Sequence, residues 1–251
     1  MRTKDAHGPA DLITRETVAD PYPTYAALRE HSPCRYSFHP SPRPGVDSTS
    51  SWALLRYDDV LRVLRDHEAF SAREPPWIGV KLTMLHDDPP RHMHLRRLVN
   101  TTFTLKRIER LEPWIRRVVD GLLDSFEARE AEVMSAFASP LPVKVIAALL
   151  GVPAAEYPTL KDWSGLFFSP SSLRAGDRLR SIRAMMEFFG KIAIERRAHA
   201  ADDLISALLS AEPEGEPLSE AELLGFCILL LISGSETSSN LGAPLGSGPV
   251  C

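Results

Sequence analysis

Cysteine is scarce in this sequence, and its three occurrences lie far apart. Cys34, Cys227 and Cys251 are the whole set among 251 residues, and none belongs to a Cys-x-x-Cys or Cys/His cluster. An odd and scattered set argues against a disulfide framework and fits a reducing compartment. The same spacing gives no support to a zinc site.

The sequence also lacks a strong charge, a leader and a long apolar run. Its formal net charge is -4, which offers no electrostatic case for binding nucleic acid or an anionic membrane. Residues 1–17 are polar and contain no apolar core of the kind found in signal peptides. The longest apolar run, residues 223–232, is too short to span a bilayer. We therefore predict a soluble, cytoplasmic protein with neither a nucleic-acid nor a membrane partner.

Helical periodicity dominates what is present. Hydrophobic residues make up 44% and charged residues 25% of the chain, which is usual for a globular domain. Two short candidate strands, CRYSF at 34–38 and SWALLRY at 51–57, flank a loop rich in proline and serine. Helical patterns cover most of the rest, including a short helix from Asp20 and another over 58–70. The predicted fold class is mainly α with a small β-hairpin.

Capping residues predict where several helices begin or end. Asp88 is predicted to cap a helix whose first turn holds Pro89 and Pro90. A long amphipathic helix is predicted over 105–129, broken or started at Pro113. The apolar helix within VKVIAALLGVP is predicted to close at Gly151.

Two further caps precede the last helix of the chain. Asp202 or Asp203 is predicted to cap the helix in DDLISALLSAE. Ser219 and Glu222 have the S-x-x-E spacing of a capping box, in which each side chain bonds the backbone N–H of the other residue. This box opens the helix that carries the apolar run and the polar stretch ISGSETSSN that follows it.

The polar stretch allows two interpretations. If the helix continues from Ser219, then Ser233, Gly234 and Thr237 lie on one stripe and Glu236 lies beside it. Glycine admits a close neighbour, and the Thr237 hydroxyl can bond the carbonyl of Ser233 one turn back. The alternative is that Gly234 ends the helix and a polar tail follows. An adjacent acid and alcohol do not decide between the two.

A second candidate site lies in LHDDPPRHMHLRRLVN. His92 and Arg96 are four residues apart and so project from one face of a helix about one turn apart. Such a pair can hold one anionic group, since arginine offers a planar fork and histidine a further donor. The alternative is a surface helix with two unrelated cations, and His94 with Arg97 form a competing pair.

Taken together, these segments resemble the bacterial, soluble cytochrome P450 monooxygenases. DDPPRHMHLRRLVNTTFT resembles the C-helix region of that family, and ISGSETSSN resembles its I helix. ADPYPTYAALRE, WALLRYDDVLRVLRDHEAFS and FASPLPVKVIAALLGVP resemble further segments in the family's order. The resemblance implies the N-terminal part of the cytochrome P450 fold, helices A to I. It covers a partial domain over 18–240, between the polar segment 1–17 and an aberrant Gly/Pro-rich tail over 241–251.

The resemblance also implies roles for individual residues. His92 and Arg96 match the family's H-x-x-x-R pair, which binds the propionates of heme b. Gly234 matches the glycine that leaves room for dioxygen on the distal side of the heme. Glu236 and Thr237 match the acid-alcohol pair that organises proton delivery to iron-bound oxygen, which makes them the expected catalytic residues.

By the same resemblance, the activity is that of a heme-thiolate monooxygenase. It would hydroxylate or epoxidise a small hydrophobic substrate with O2, using electrons from NAD(P)H passed on by a ferredoxin or a flavoprotein reductase. Natural-product tailoring is a guess by analogy, and the sequence does not identify the substrate.

The family's later motifs do not occur in this sequence. After Asn240 it has neither the E-x-x-R motif nor the loop whose cysteine is the axial thiolate of the iron. We expect from this that the chain is truncated after the I helix and that it retains heme poorly. Cys251 lacks the framework of a ligand loop, and Cys227 is expected to be a buried, inert thiol. The alternative function is therefore a non-catalytic helical remnant.

Overall fold

The computed structural model describes residues 14–38, 49–73, 81–126, 131–168, 175–211 and 217–242. The chain divides into two compact units, Met1–Ala72 and Arg73–Cys251. The predicted segment 1–17 lies largely outside the described residues, as does most of the tail 241–251. The predicted domain boundaries at residues 18 and 240 remain predictions.

The first unit contains the predicted hairpin between short helices. Its elements are α1 (Arg15–Ala19), α2 (Pro21–Arg29), β1 (Cys34–Phe38), β2 (Thr49–Ala53) and α3 (Tyr57–Arg65). The strands are antiparallel, with Cys34 opposite Ala53 and Phe38 opposite Thr49. The carboxylate of Asp20 accepts a hydrogen bond from the N–H of Tyr22 and so caps α2 at its predicted start.

The second strand ends earlier than its sequence predicts. β2 stops at Ala53, whereas the apolar pattern extends to Tyr57. The N–H of Leu55 instead donates to the hydroxyl oxygen of Ser32 at 3.1 Å, and the Leu55 carbonyl accepts from Nε of Arg29 at 3.2 Å. Because α2 and the turn after it take these backbone groups, the strand ladder cannot continue.

The regular elements in the described part of the second unit are all helices. Its helices are α4 (Arg91–Thr102), α5 (Leu105–Asp124), α6 (Pro140–Leu149), α7 (Tyr157–Phe168), α8 (Ala175–Ala198), α9 (Leu204–Ser210) and α10 (Glu220–Gly242). A π-helical turn over Met134–Ala138 precedes α6, and a 3-10 turn over Ala154–Glu156 precedes α7. The prediction of a mainly α protein with a small β-hairpin is confirmed.

Helix α10 is the centre of the core. It packs against α6, α7 and α8, and residues 223–228 are buried on every face of the helix. Phe189 of α8 and Ala147 of α6 are fully enclosed beside it. A helix that is apolar all round belongs in a core or a membrane. Among the described residues α10 is the one helix with the length and composition to cross a membrane, and half of its apolar window is buried inside the unit.

The predicted cap of α4 by Asp88 and the predicted break or start of α5 at Pro113 are both wrong. Helix α4 begins at Arg91, so Pro89 and Pro90 precede it, and the Asp88 side chain does not cap it. That carboxylate lies 3.3 Å from Arg73, while the backbone carbonyl of Asp88 accepts from the N–H of His92. Helix α5 neither breaks nor starts at Pro113 but runs through it.

The continuity of α5 has a physical reason. Proline lacks the N–H that would bond the carbonyl four residues earlier, which normally kinks a helix. Pro113 is exposed, so the carbonyl that loses its partner faces water. The helix begins at Leu105, as the sequence predicts, and the hydroxyl oxygen of its cap Thr104 accepts from the N–H of Arg107. It ends at Asp124, short of the predicted residue 129, and residues 127–130 lie outside the described part of the chain.

The predicted end of α6 at Gly151 is confirmed, as is one of the two predicted caps of α9. Both features bind the same arginine. Gly151 follows α6 with a φ of +73°, the left-handed conformation expected of a glycine that ends a helix. Of the two candidate caps for α9, Asp203 is the one used, and its carboxylate accepts from the N–H of Ser206 at 2.7 Å. Arg196 of α8 joins them, since it donates to the Asp203 carboxylate and to the carbonyl of Gly151.

Candidate functional site

The polar stretch of α10 is helical. The helix continues through Gly234 to Gly242, so the interpretation in which Gly234 ends it is wrong. The hydroxyl of Thr237 donates to the carbonyl of Ser233 at 2.6 Å, as its spacing predicts. Ser235 and Ser239, which are buried, donate in the same way to the carbonyls of Leu231 and Ser235. Each hydroxyl is therefore satisfied within the helix, and the stretch can carry polar groups into the core.

Gly234 lies where α10 approaches α6. A Cβ atom at this position would sit 2.8 Å from Cδ1 of Ile146 and 3.0 Å from its Cγ1. A methyl group here would require the Ile146 side chain to shift, so the absence of a side chain lets Ile146 pack directly against α10. The structure thus gives Gly234 a packing function against α6. The role of leaving room for dioxygen stays a prediction.

The predicted acid and alcohol face different surroundings. Ser233 and Thr237 lie on the exposed side of α10, whereas Glu236 is half-buried. Glu236 lines a cavity of about 670 Å³ between α6, α7 and α10. Lys161 and Asp162 of α7 line the same cavity, together with serine hydroxyls. The carboxylate therefore lines a largely apolar cavity with a few polar side chains, beside the face that carries the Thr237 hydroxyl.

The predicted anion-binding pair lies on α4. His92 is half-buried, and Arg96 is exposed one helical turn further along. Within the part of the chain that the structure describes, neither side chain has a hydrogen-bond or ion-pair partner. The competing pair differs in this respect, because His94 and Arg97 each make an interaction. His92 and Arg96 are thus two donors on one helix face with bonding capacity left for a ligand.

A clamp between α4 and the start of α10 was not predicted from the sequence. Arg91 donates two hydrogen bonds to the Glu222 carboxylate, from Nε at 2.9 Å and from Nη2 at 2.6 Å. The predicted capping box is confirmed, since Glu222 also accepts from the N–H of Ser219 at 2.9 Å and donates its own N–H to the Ser219 hydroxyl. The hydroxyl of Thr83 donates to the Glu222 carbonyl at 2.8 Å.

The clamp sets where α4 lies along α10. Ser233 is 11 residues beyond Glu222, which is roughly 16 Å along a helix axis. Arg91 is the residue before His92, so the first turn of α4 is held at one end of this interval. A pairing across 131 residues leaves no signal in a single sequence, which is why it was missed.

The clamp predicts how stability depends on pH. Hydrogen bonding from Arg91, reinforced by Ser219 and opposed by burial, lowers the pKa of Glu222 to about 2. An unfolded glutamate titrates near pH 4.3, so the charge contributes stability above about pH 4.3 that is lost as the pH falls towards 2. We expect Glu222→Gln to lower the free energy of unfolding by about 1–2 kcal/mol at pH 7, allowing for solvent screening, and by less at pH 3.

Urea unfolding of both proteins at pH 7 and pH 3 checks this prediction. Glutamine can still complete the capping box, so the variant isolates the charge. The matched control is Glu220→Gln, because Glu220 is exposed and lies 3.3 Å from the exposed Arg197. Glu220→Gln should change the free energy of unfolding by less than about 0.5 kcal/mol. An equal loss from Glu222→Gln at both pH values would contradict the assignment to a charge.

The residues can be compared with what a heme requires. The unpaired donors of α4 suit the carboxylates at its edge, and the exposed Ser233 and Thr237 suit its oxygen side. Cys227 does not suit the iron. Its thiol is fully buried among core residues, and burial raises its pKa to about 12, which makes it the inert thiol that the sequence predicts. The side chains of Cys34 and Cys251 are not among those described, and no cluster of three or more metal-binding side chains occurs in the described residues.

The comparisons with known proteins agree with this helical arrangement. The family model for cytochrome P450 matches residues 29–152. The putative cytochrome P450 YjiB of Bacillus subtilis is 34% identical over 90% of this chain and 58% of its own length. The cytochrome P450 monooxygenase PikC of Streptomyces venezuelae is 34% identical over 91% of this chain and 56% of its own.

Solved structures match over the same part. The cytochrome P450 PksS of the Bacillus subtilis bacillaene polyketide synthase superposes with a TM-score of 0.75 at 32% identity, covering 91% of this chain and 58% of its own. CYP109Q5 from Chondromyces apiculatus gives a TM-score of 0.73 at 34% identity, covering 91% and 57%. The chain belongs to the bacterial cytochrome P450 family, and its fold is the N-terminal part of the cytochrome P450 fold. It spans a little over half the length of these relatives.

Proposed function

We propose that this chain provides the propionate-binding helix and the oxygen-side helix of a heme-thiolate monooxygenase. The observation that carries the proposal is the geometry of α10, in which Thr237 keeps its hydroxyl on the exposed face through a bond to the Ser233 carbonyl. His92 and Arg96 would bind the propionates of heme b with donors that have no other partner among the described residues. Monooxygenases among the relatives, such as PikC, support the reaction class.

The protein groups have distinct tasks in this proposal. When bound, heme supplies the iron at which dioxygen is activated. The Thr237 hydroxyl donates to Ser233 and keeps its own lone pairs free to accept a bond from water. The Glu236 carboxylate lines the neighbouring cavity and would pass protons to and from water there. Together they would hold and pass protons from the cavity to the exposed face of α10.

The remaining assignments follow the family. The substrate would be a small hydrophobic molecule that is hydroxylated or epoxidised with O2. Electrons would reach the site from NAD(P)H through a ferredoxin or a flavoprotein reductase, and the protein would work in the cytoplasm. The clamp at Glu222 supports this use of the two helices, because it holds the start of α4 in a defined position relative to α10.

A second candidate is a non-catalytic helical protein. The burial of Cys227, whose thiol cannot reach a cofactor, favours it for these residues acting alone. The reduced carbon monoxide spectrum of the heme-loaded chain separates the two candidates. A thiolate-type band supports the monooxygenase, whereas its absence assigns these 251 residues to the second candidate.

Heme titration tests the propionate assignment separately. We expect Arg96→Ala to weaken the binding of added hemin about tenfold, which corresponds to about 1.4 kcal/mol and suits a partly exposed charge-assisted hydrogen bond. The measurement is the Soret absorbance during titration of the folded chain. The control is Arg97→Ala, the neighbouring arginine on a different face of α4, which should change the affinity by less than about twofold. Equal affinities of parent and Arg96→Ala would refute the assignment.

A further inference from the structure

A second cavity lies at the junction of α5, α6 and α7. Its volume is about 630 Å³, within the range of small-molecule sites. Trp114 and Val118 of α5 form one wall, Val143 of α6 another, and Tyr157 and Pro158 of α7 a third. Its described lining includes no residue of α4 or α10, so it is distinct from both halves of the proposed heme site. Two aromatic rings and the rings of Pro140 and Pro158 give it flat apolar walls.

The charges around this cavity have one sign. Lys144 of α6 and Lys161 of α7 line it, and no carboxylate is among its described lining residues. Lys161 donates to the carbonyl of Ser135 at 3.3 Å and also lines the cavity of Glu236. Lys144 has no hydrogen-bond or ion-pair partner within the described part of the chain. A half-buried ammonium beside apolar walls is thus available to an anion.

The neutral polar groups of the cavity are also donors. Tyr157 is half-buried, burial raises the pKa of its phenol, and its hydroxyl has no hydrogen-bond partner among the described residues. The indole N–H of Trp114 likewise has none there. Both residues are half-buried, so their donors are available to a ligand that brings acceptor oxygens. Apolar walls with a few convergent donors are the usual composition of a ligand site.

We propose that this cavity binds an aromatic monocarboxylate. The ring would lie between Trp114, Tyr157 and Pro158, where offset and edge-on aromatic contacts are favourable. The carboxylate would accept hydrogen bonds from the Lys144 ammonium and the Tyr157 hydroxyl. The proposal does not depend on heme binding or on oxidation, because no residue proposed for either lines this cavity. The cavity shares only the lining residues Val143 and Lys161 with the cavity of Glu236.

Calorimetric titration of the chain with 2-naphthoate tests the proposal. We expect saturable binding of one equivalent, and at least tenfold weaker binding of 2-naphthylmethanol, which has the same ring without the charge. Lys144→Gln should weaken naphthoate binding about tenfold, since it removes one charge-assisted hydrogen bond. Lys144→Arg should stay within about threefold of the parent, because the charge is kept.

A cavity-filling variant locates the site. Val118→Trp should abolish naphthoate binding, whereas Val119→Trp, at the neighbouring position on α5, should retain it. Circular dichroism checks that each variant is folded. If Val118→Trp does not fold, naphthoate binding by Lys144→Gln tests the proposal instead. Failure of the parent to bind, equal binding of acid and alcohol, or full binding by Lys144→Gln or Val118→Trp would each overturn the proposal. None of these outcomes bears on heme titration.

Discussion

Asp203→Ala is expected to lower the free energy of unfolding by about 3–5 kcal/mol, the usual cost of removing one partner of a buried ion pair. Asp203 is 4% exposed, and its carboxylate accepts from Nε of Arg196 at 2.5 Å. Without it the Arg196 guanidinium stays buried with no countercharge, apart from the exposed Glu195. The substitution also removes the cap of α9, where the carboxylate accepts from the N–H of Ser206.

Thermal and urea unfolding measure this effect, and the neighbouring residue is its control. Asp202 is 73% exposed on its side chain and lies 3.5 Å from each of two arginines. Exposed pairs of this length contribute little, so Asp202→Ala should cost less than about 1 kcal/mol. Similar losses from the two alanine variants would show that burial of the Asp203–Arg196 pair is not the cause.

Gly225→Ala is the second substitution expected to have a large effect, at about 2–3 kcal/mol of destabilisation. Gly225 lies inside α10, where alanine would ordinarily stabilise the helix by about 1 kcal/mol. A Cβ here, however, would sit 2.2 Å from the carbonyl oxygen of Lys81 and 2.8 Å from Oγ1 of Thr83. The first contact is with backbone, so the segment before α4 must shift and its bond from Thr83 to Glu222 is strained or lost.

Replacing a helical glycine in open surroundings by alanine should raise stability rather than lower it. Gly190 lies inside α8, and a Cβ there meets no atom within 4 Å. We expect Gly190→Ala to stabilise the protein by about 0.5–1 kcal/mol, because alanine restricts the unfolded chain and favours the helix. Unfolding by urea compares the two variants directly. Stabilisation by Gly225→Ala would show that the segment around Lys81 does not pack against α10 in this way.

Local rules predicted local features well. The capping box at Ser219 and Glu222, the left-handed Gly151 and the Thr237 hydroxyl bond each involve residues within four positions of one another. Such features depend on backbone geometry that a short window of sequence specifies.

Predictions failed where a distant group competes for the same atoms. Asp88 has the residue type and position of a cap, yet its carboxylate is taken by Arg73. The strand pattern from 51 to 57 reads as continuous, yet Ser32 and Arg29 take the backbone of Leu55. Such partners cannot be seen in a linear pattern.

The candidate site likewise combines features that local sequence predicts with features that depend on distant partners. The sequence predicted the residue types, the helical spacing of His92 and Arg96, and the bond between Thr237 and Ser233. Three further features depend on tertiary packing, namely the contact of Gly234 with Ile146, the cavity beside Glu236 and the clamp by Arg91. The chemical roles of these residues remain predictions, because they concern groups that only a bound heme would contact.

The clamp at Glu222 has a consequence for biosynthesis. Its contacts join Thr83 and Arg91 to a residue 139 and 131 positions later. Ribosomes add about 5–20 residues per second. Thr83 and Arg91 are therefore synthesised roughly 7–28 s before Glu222. During that interval neither the Arg91 guanidinium nor the Thr83 hydroxyl can bond to Glu222. The order in which the chain is made therefore delays the fixing of α4 until α10 has emerged.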